Sequence, residues 1–124
     1  MQVSETAPVV IEAPKSLDIC TGTRFRVALR KAVEDGASFV IADLTKVEFM
    51  DNVGLGILVG VCKVAKGRGS RLGVACNQEH VLRLFRITAL NRVLEIKTSV
   101  GAFTGEEEAG GPRVAWLTAV QERP

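Results

Sequence analysis

Three short apolar runs, Val9-Val10-Ile11, Phe39-Val40-Ile41-Ala42 and Leu72-Gly73-Val74-Ala75-Cys76, are separated by about thirty residues each, the length of a strand–helix–strand unit. The intervening segments switch to helical period. Phe25, Ala28, Leu29, Ala32 and Val33 fall at i, i+3, i+4, i+7 and i+8 and form one stripe of an amphipathic helix that Gly36 stops. Cys20-Thr21-Gly22-Thr23 offers hydroxyl N-caps for it. Leu55, Leu58, Val59 and Cys62 mark a second helix to about Ala65, closed by Gly67 and Gly69, and Asp51 or Asn52 is its cap. Asn77 is placed to cap a third, in which Val81, Leu84 and Phe85 share a face. Val93-Leu94-Glu95-Ile96-Lys97 alternates as a last strand. Strands that are apolar throughout belong inside a parallel sheet covered on both faces. The chain therefore reads as α/β, with a mixed, mostly parallel sheet of four to five strands and flanking helices.

Within that frame, one segment concentrates chemistry. Phe49-Met50-Asp51-Asn52-Val53-Gly54-Leu55-Gly56 leads from a strand into a helix. Unsatisfied N–H groups and the positive end of the helix dipole meet at such a start. Gly54 and Gly56 each cost about 1 kcal/mol relative to Ala inside a helix. Two explanations compete for them: close approach by a partner, or tight packing on the domain's own sheet. Asp18 is read as a turn or capping residue near Asp51. The two carboxylates have no nucleophile, metal set or second histidine with them, so no catalytic residue is assigned and the chain is read as a non-enzyme.

Composition narrows the partners. Sixteen basic and fourteen acidic residues leave a formal charge of +2, against a dedicated nucleic-acid binder. Lys63, Lys66, Arg68 and Arg71 gather near the end of the second helix and are read as a solvated face. No apolar run approaches the ~20 residues that cross a bilayer, and the first residues lack a basic, then apolar, secretory pattern; a cytoplasmic location is the expectation. Cys20, Cys62 and Cys76 are widely spaced and His80 is the sole histidine, so no structural metal site is expected. The cysteines are read as reduced, small apolar residues in or near the core. A disulfide switch is the alternative.

The Asp51-to-Gly56 segment resembles the Asp-Ser-x-Gly-Leu-Gly signature of STAS domains, the fold of bacterial anti-sigma factor antagonists. Leu17-Asp18 with Thr21 resembles the family's Leu-Asp-x-x-Thr segment, Phe39–Leu44 the strand before the signature, and Val81–Phe85 with Thr88-Ala89-Leu90 the third helix and its end. The resemblance runs from about Val9 to Lys97. It implies a transcription-regulating antagonist that binds an anti-sigma factor of the serine-kinase type and frees a sigma factor, with no cofactor. It places Asp18, Thr21, Asp51, Asn52, Val53, Gly54, Leu55 and Gly56 at the partner surface. The family's phosphorylated Ser is Asn52 here, and an amide accepts no phosphate, so switching by phosphate at this position is not expected. An accessory subunit of a membrane transporter is the alternative function; a monomer and a dimer both fit the chain.

Residues 1–8 are expected as a flexible N-terminus, 9–100 as the domain, and 101–124 as an acidic, Gly-rich linker with a C-terminal extension. Compared with the family, the first strand is short or absent and the C-terminal end is extended. Val114, Trp116, Leu117 and Val120 favour docking of that extension on the body over a free tail.

Overall fold

The computed structural model describes residues 7–105. The expectations for the N-terminus and for Trp116 and its neighbours lie outside the described residues. Strands β1 (Val9–Glu12), β3 (Phe39–Asp43), β5 (Arg71–Ala75) and β6 (Glu95–Lys97) form one sheet in the order β1-β3-β5-β6. Every pair in it is parallel, with Val40 flanked by Val9 and Leu72, and Val74 beside Ile96. Strands β2 (Ser16–Leu17) and β4 (Phe49–Met50) make a separate parallel ribbon of two residues each. The expected α/β class and mostly parallel sheet are what the chain adopts.

Alternate residues of the central strands point to opposite faces. Val40, Ala42, Leu72 and Val74 join the main core with Phe25, Leu29 and Val33 of helix α1 (Ile19–Glu34), Leu58, Val61 and Ala65 of α2 (Asn52–Gly67), and Val81 and Phe85 of α3 (Glu79–Ile87). Val10, Ile41 and Ala75 face the other way and pack with Val100 of a short helix α4 (Val100–Thr104). The ring of Phe103 of α4 packs over Gly73, where the sheet has no side chain: a Cβ there would come within 2.7 Å of it. Phe39 meets Phe103 edge-on at 5.6 Å, and the Arg71 guanidinium sits 4.0 Å over Phe39. Residues 101–104, expected as the start of the linker, are thus a helix that closes the second face. Gly73 makes the seat, and Ser99 caps α4 by accepting from Ala102 N at 3.0 Å.

Several local expectations are corrected. The cap of α1 is Asp18, in the capping role read for it and not one of the downstream hydroxyls; its Oδ1 accepts from Cys20 N and Thr21 N at 2.9 and 3.2 Å. Helix α2 reaches Gly67. Asn77 does not cap α3: the cap position is Gln78, whose side-chain amide donates instead to Thr45 O at 2.9 Å. Cys62 and Cys76 are buried as expected, but Cys20 is exposed, because it falls on the outer side of the first turn of α1. All three are free. Burial pushes the Cys76 thiol up, with the nearby Asp43 charge adding to the effect. No helix of the described residues is long and apolar enough to cross a membrane.

Candidate functional site

The two-residue ribbon builds the site. Leu17 pairs with Met50, so the residues that follow, Asp18 and Asp51, emerge side by side. Both side chains are spent on helix starts. Asp18 forms a reciprocal box with Thr21, whose Oγ1 accepts from Asp18 N at 3.1 Å and donates to Ser16 O at 2.6 Å. Asp51 Oδ1 accepts from Val53 N at 2.9 Å. The cap of α2 is therefore Asp51 alone, and Asn52 is the first helical residue. Since Asp51 already meets the open N–H, Asn52 is left outward and exposed.

The residues expected at a partner surface divide by position. Asn52, Val53 and Gly56 are exposed; Asp18, Thr21 and Asp51 are half-buried; Gly54 and Leu55 are buried. The two glycines have different reasons. A Cβ at Gly54 would lie 2.5 Å from Met50 Cγ and 3.2 Å from Leu17 Cδ2, so Gly54 lets α2 rest on the ribbon. Among the described residues, a Cβ at Gly56 would meet nothing within 4 Å. Packing thus accounts for Gly54 and does not account for Gly56.

Two further residues share this surface. Ile19, the first residue of α1, is 74% exposed, and Phe49, on β4, is 50% exposed. Phe49 opens the segment that the sequence marks but was given no place at the partner surface, and Ile19 was not singled out. Ile19 lies off the Phe25–Leu29–Val33 stripe, and Phe49 must face away from the core when its neighbour Met50 faces in. The β4 approach is pinned by Glu48 N and Phe49 N donating to Lys15 O at 2.7 and 3.1 Å, and by His80 Nε2 lying 2.8 Å from Glu48 O. Ile19 and Asn52 open the two helices, Val53 follows Asn52, and Phe49 lies on the strand that leads to it, so exposed apolar side chains flank the two helix starts along the chain.

Among the described residues no group of three His, Cys, Asp or Glu side chains could hold a metal ion. Asp43, the buried carboxylate, is satisfied by Thr45 N at 3.0 Å and Thr45 Oγ1 at 2.7 Å. The surface is suited to recognition.

Comparison with known proteins agrees with the fold. The STAS domain family model matches residues 1–103. The anti-sigma-B factor antagonist of Listeria monocytogenes is 34% identical over 102 residues, covering 82% of this chain and 89% of that protein. That of Bacillus subtilis is 35% identical over 80 residues, covering 64% and 72%. A crystal structure of an anti-sigma factor antagonist from Mycobacterium paratuberculosis superposes with a TM-score of 0.69 at 22% identity, covering 93% of this chain and 86% of that one.

Proposed function

The chain belongs to the STAS domain family, and on that premise we propose that it is an anti-sigma factor antagonist, a non-enzymatic regulator that binds an anti-sigma factor of the serine-kinase type. The binding surface is the start of α2 with the adjoining start of α1: Asn52, Val53 and Gly56, with Ile19 and Phe49 flanking the two helix starts. One observation carries the reading. Asn52 is exposed at the first helical position, with the capping duty already met by Asp51.

A phosphate at that place would add a charge of about −1.5 to −2 against a docked partner. Asn52 is neutral and polar like an unmodified serine, close to it in size, and has no hydroxyl to modify. The chain is therefore held in the binding-competent state, and release of its partner is not switched at residue 52. Supporting this reading are the antagonists named among its relatives and the open space at Gly56 among the described residues.

Incubation with a purified kinase-type anti-sigma factor and ATP, followed by mass spectrometry, tests it. The wild type is expected to bind and to remain unmodified at residue 52, and Asn52→Ser to acquire phosphate there. A stoichiometric phosphate on another Ser or Thr of the wild type, with loss of binding, contradicts the reading.

A further inference from the structure

Helix α3 begins without a side-chain cap: Gln78 stands at the cap position and accepts nothing from the first turn. The residues that serve well there are Ser, Thr, Asp, Asn and Gly. The polar side chains at this helix start reach across to a neighbour instead. Gln78 Nε2 donates to Thr45 O at 2.9 Å, and His80 Nε2 lies 2.8 Å from Glu48 O. A carbonyl oxygen only accepts, so Nε2 of His80 carries the proton. The two bonds join residues 33 and 32 apart in sequence, and both end on the loop 44–48 between β3 and β4.

That loop is the approach to the start of α2. Burial fixes its inner side, where Leu44 and Val47 are fully enclosed. Its exit has less to hold it. Strand β4 is two residues long and pairs with two, and so short a ribbon has little stability of its own. Phe49 lies on it, and Asp51 and Asn52 directly follow it. Glu48 is the residue at that exit, and it is tied in both directions: its N–H donates to Lys15 O at 2.7 Å and its C=O meets His80.

We propose that Gln78 and His80 are positioning residues for the partner surface: the start of α3 forgoes its own cap to hold loop 44–48, and that hold sets where Phe49 and Asn52 stand. A local rule is set aside at α3 and the stabilisation appears at the site, the pattern expected where function and local stability compete. The proposal deepens the antagonist reading and rests on it for what binds there. The placement of residues 48–53 is a property of the chain alone.

His80→Ala removes the donor, and His80→Gln returns one, because a glutamine amide nitrogen reaches about as far along the chain as Nε2. Amide hydrogen exchange of the full chain reads the placement, and calorimetry with a purified kinase-type anti-sigma factor reads the binding. The amides of Glu48, Phe49 and Val53, which donate to Lys15 O and Asp51 Oδ1, should exchange faster in His80→Ala. Affinity should fall about three- to tenfold, the range of one hydrogen bond. His80→Gln should restore both, and Gln78→Ala should act in the same direction as His80→Ala. His80 is exposed, so its variants should melt with the wild type.

Equal affinity of wild type and His80→Ala overturns the proposal and leaves the antagonist reading standing. A His80→Gln as weak as His80→Ala also overturns it, because the imidazole would then be a contact and not a support. So does a melting temperature that falls together with affinity, the mark of a general structural loss. If the anti-sigma factor does not bind the wild type, the antagonist reading fails and the exchange rates decide the positioning claim. Faster exchange in His80→Ala that His80→Gln reverses upholds it, and unchanged rates refute it.

Discussion

Asp18 and Asp51 leave a single two-residue ribbon side by side, each one residue beyond the Leu17–Met50 pair, and each caps a sixteen-residue helix with its own carboxylate. This repeated device points two helix starts toward the same patch of surface. It also explains why Asn52 and Ile19, the first residues of those helices, have no structural duty and face outward.

The two glycines of the α2 start are predicted to respond with opposite signs. Gly54→Ala drives a methyl into Met50 and Leu17 and should cost about 1–3 kcal/mol through overpacking. Gly56→Ala meets open space and should raise stability by about 1 kcal/mol through helix propensity, while weakening partner binding. Urea unfolding of both variants, with calorimetry on Gly56→Ala, checks this. A destabilised Gly56→Ala, or one that binds as the wild type does, would show that Gly56 is not kept open for a partner.

Ala89 is the only described non-glycine residue with positive φ, at 61° with ψ 17°, between α3 and the turn at Leu90–Arg92. An L-residue pays about 1–2 kcal/mol for that left-handed conformation. Glycine pays part of it back through the greater entropy of its unfolded chain. Ala89→Gly should therefore stabilise the domain by about 0.5–1 kcal/mol, read as a higher urea midpoint. A lower midpoint would mean that the Ala89 methyl contributes packing worth more than the strain.

The sheet edge has a pH-dependent tie. Arg71 Nε donates to Glu95 Oε1 at 2.9 Å and Nη2 to Oε2 at 2.5 Å, joining β5 to β6. This pairing holds the Glu95 carboxyl below its ordinary value, chiefly through the Arg71 hydrogen bond. The contribution is thus complete above the ordinary glutamate value and is lost as pH falls below it through the depressed one. Both side chains are substantially exposed, so it is small and weakened by salt. Wild type should exceed Glu95→Gln in melting temperature at neutral pH, and the two should converge in acid. A difference that persists in acid would assign the effect to packing.

Much of this architecture was legible in the residues. Val9–Ile11, Phe39–Ala42 and Leu72–Cys76 are strands because continuous apolar runs need cover on both faces, and the Phe25–Leu29–Val33 stripe fixed the buried side of α1. The ribbon was not legible: two residues per strand are too few to show a period, so the exposure of Phe49 and Ile19 beside the two helix starts could not be read. Helix α4 was hidden for a related reason. Its five residues are too few to show a helical period, and the bare patch at Gly73 explains why Phe103 stays. At α1 the sequence offered both Asp18, as a turn or capping residue, and the hydroxyls of 20–23 as caps; the box is Asp18 with Thr21, an acidic residue first and a hydroxyl at N3, the reverse of the familiar order. Gly54 and Gly56 look alike in sequence and differ only in what surrounds them.

The claim that residue 52 is a contact held permanently in the unphosphorylated form is tested most directly by calorimetry of a purified kinase-type anti-sigma factor with wild type and Asn52→Asp. The substitution adds a carboxylate where the family places its phosphate. It leaves Asp51 to cap the helix and favours the dipole, so the melting temperature should be unchanged or slightly raised. Binding should weaken by on the order of 1–3 kcal/mol. Equal affinities in proteins of equal stability would contradict the account, because residue 52 would then lie outside the interface.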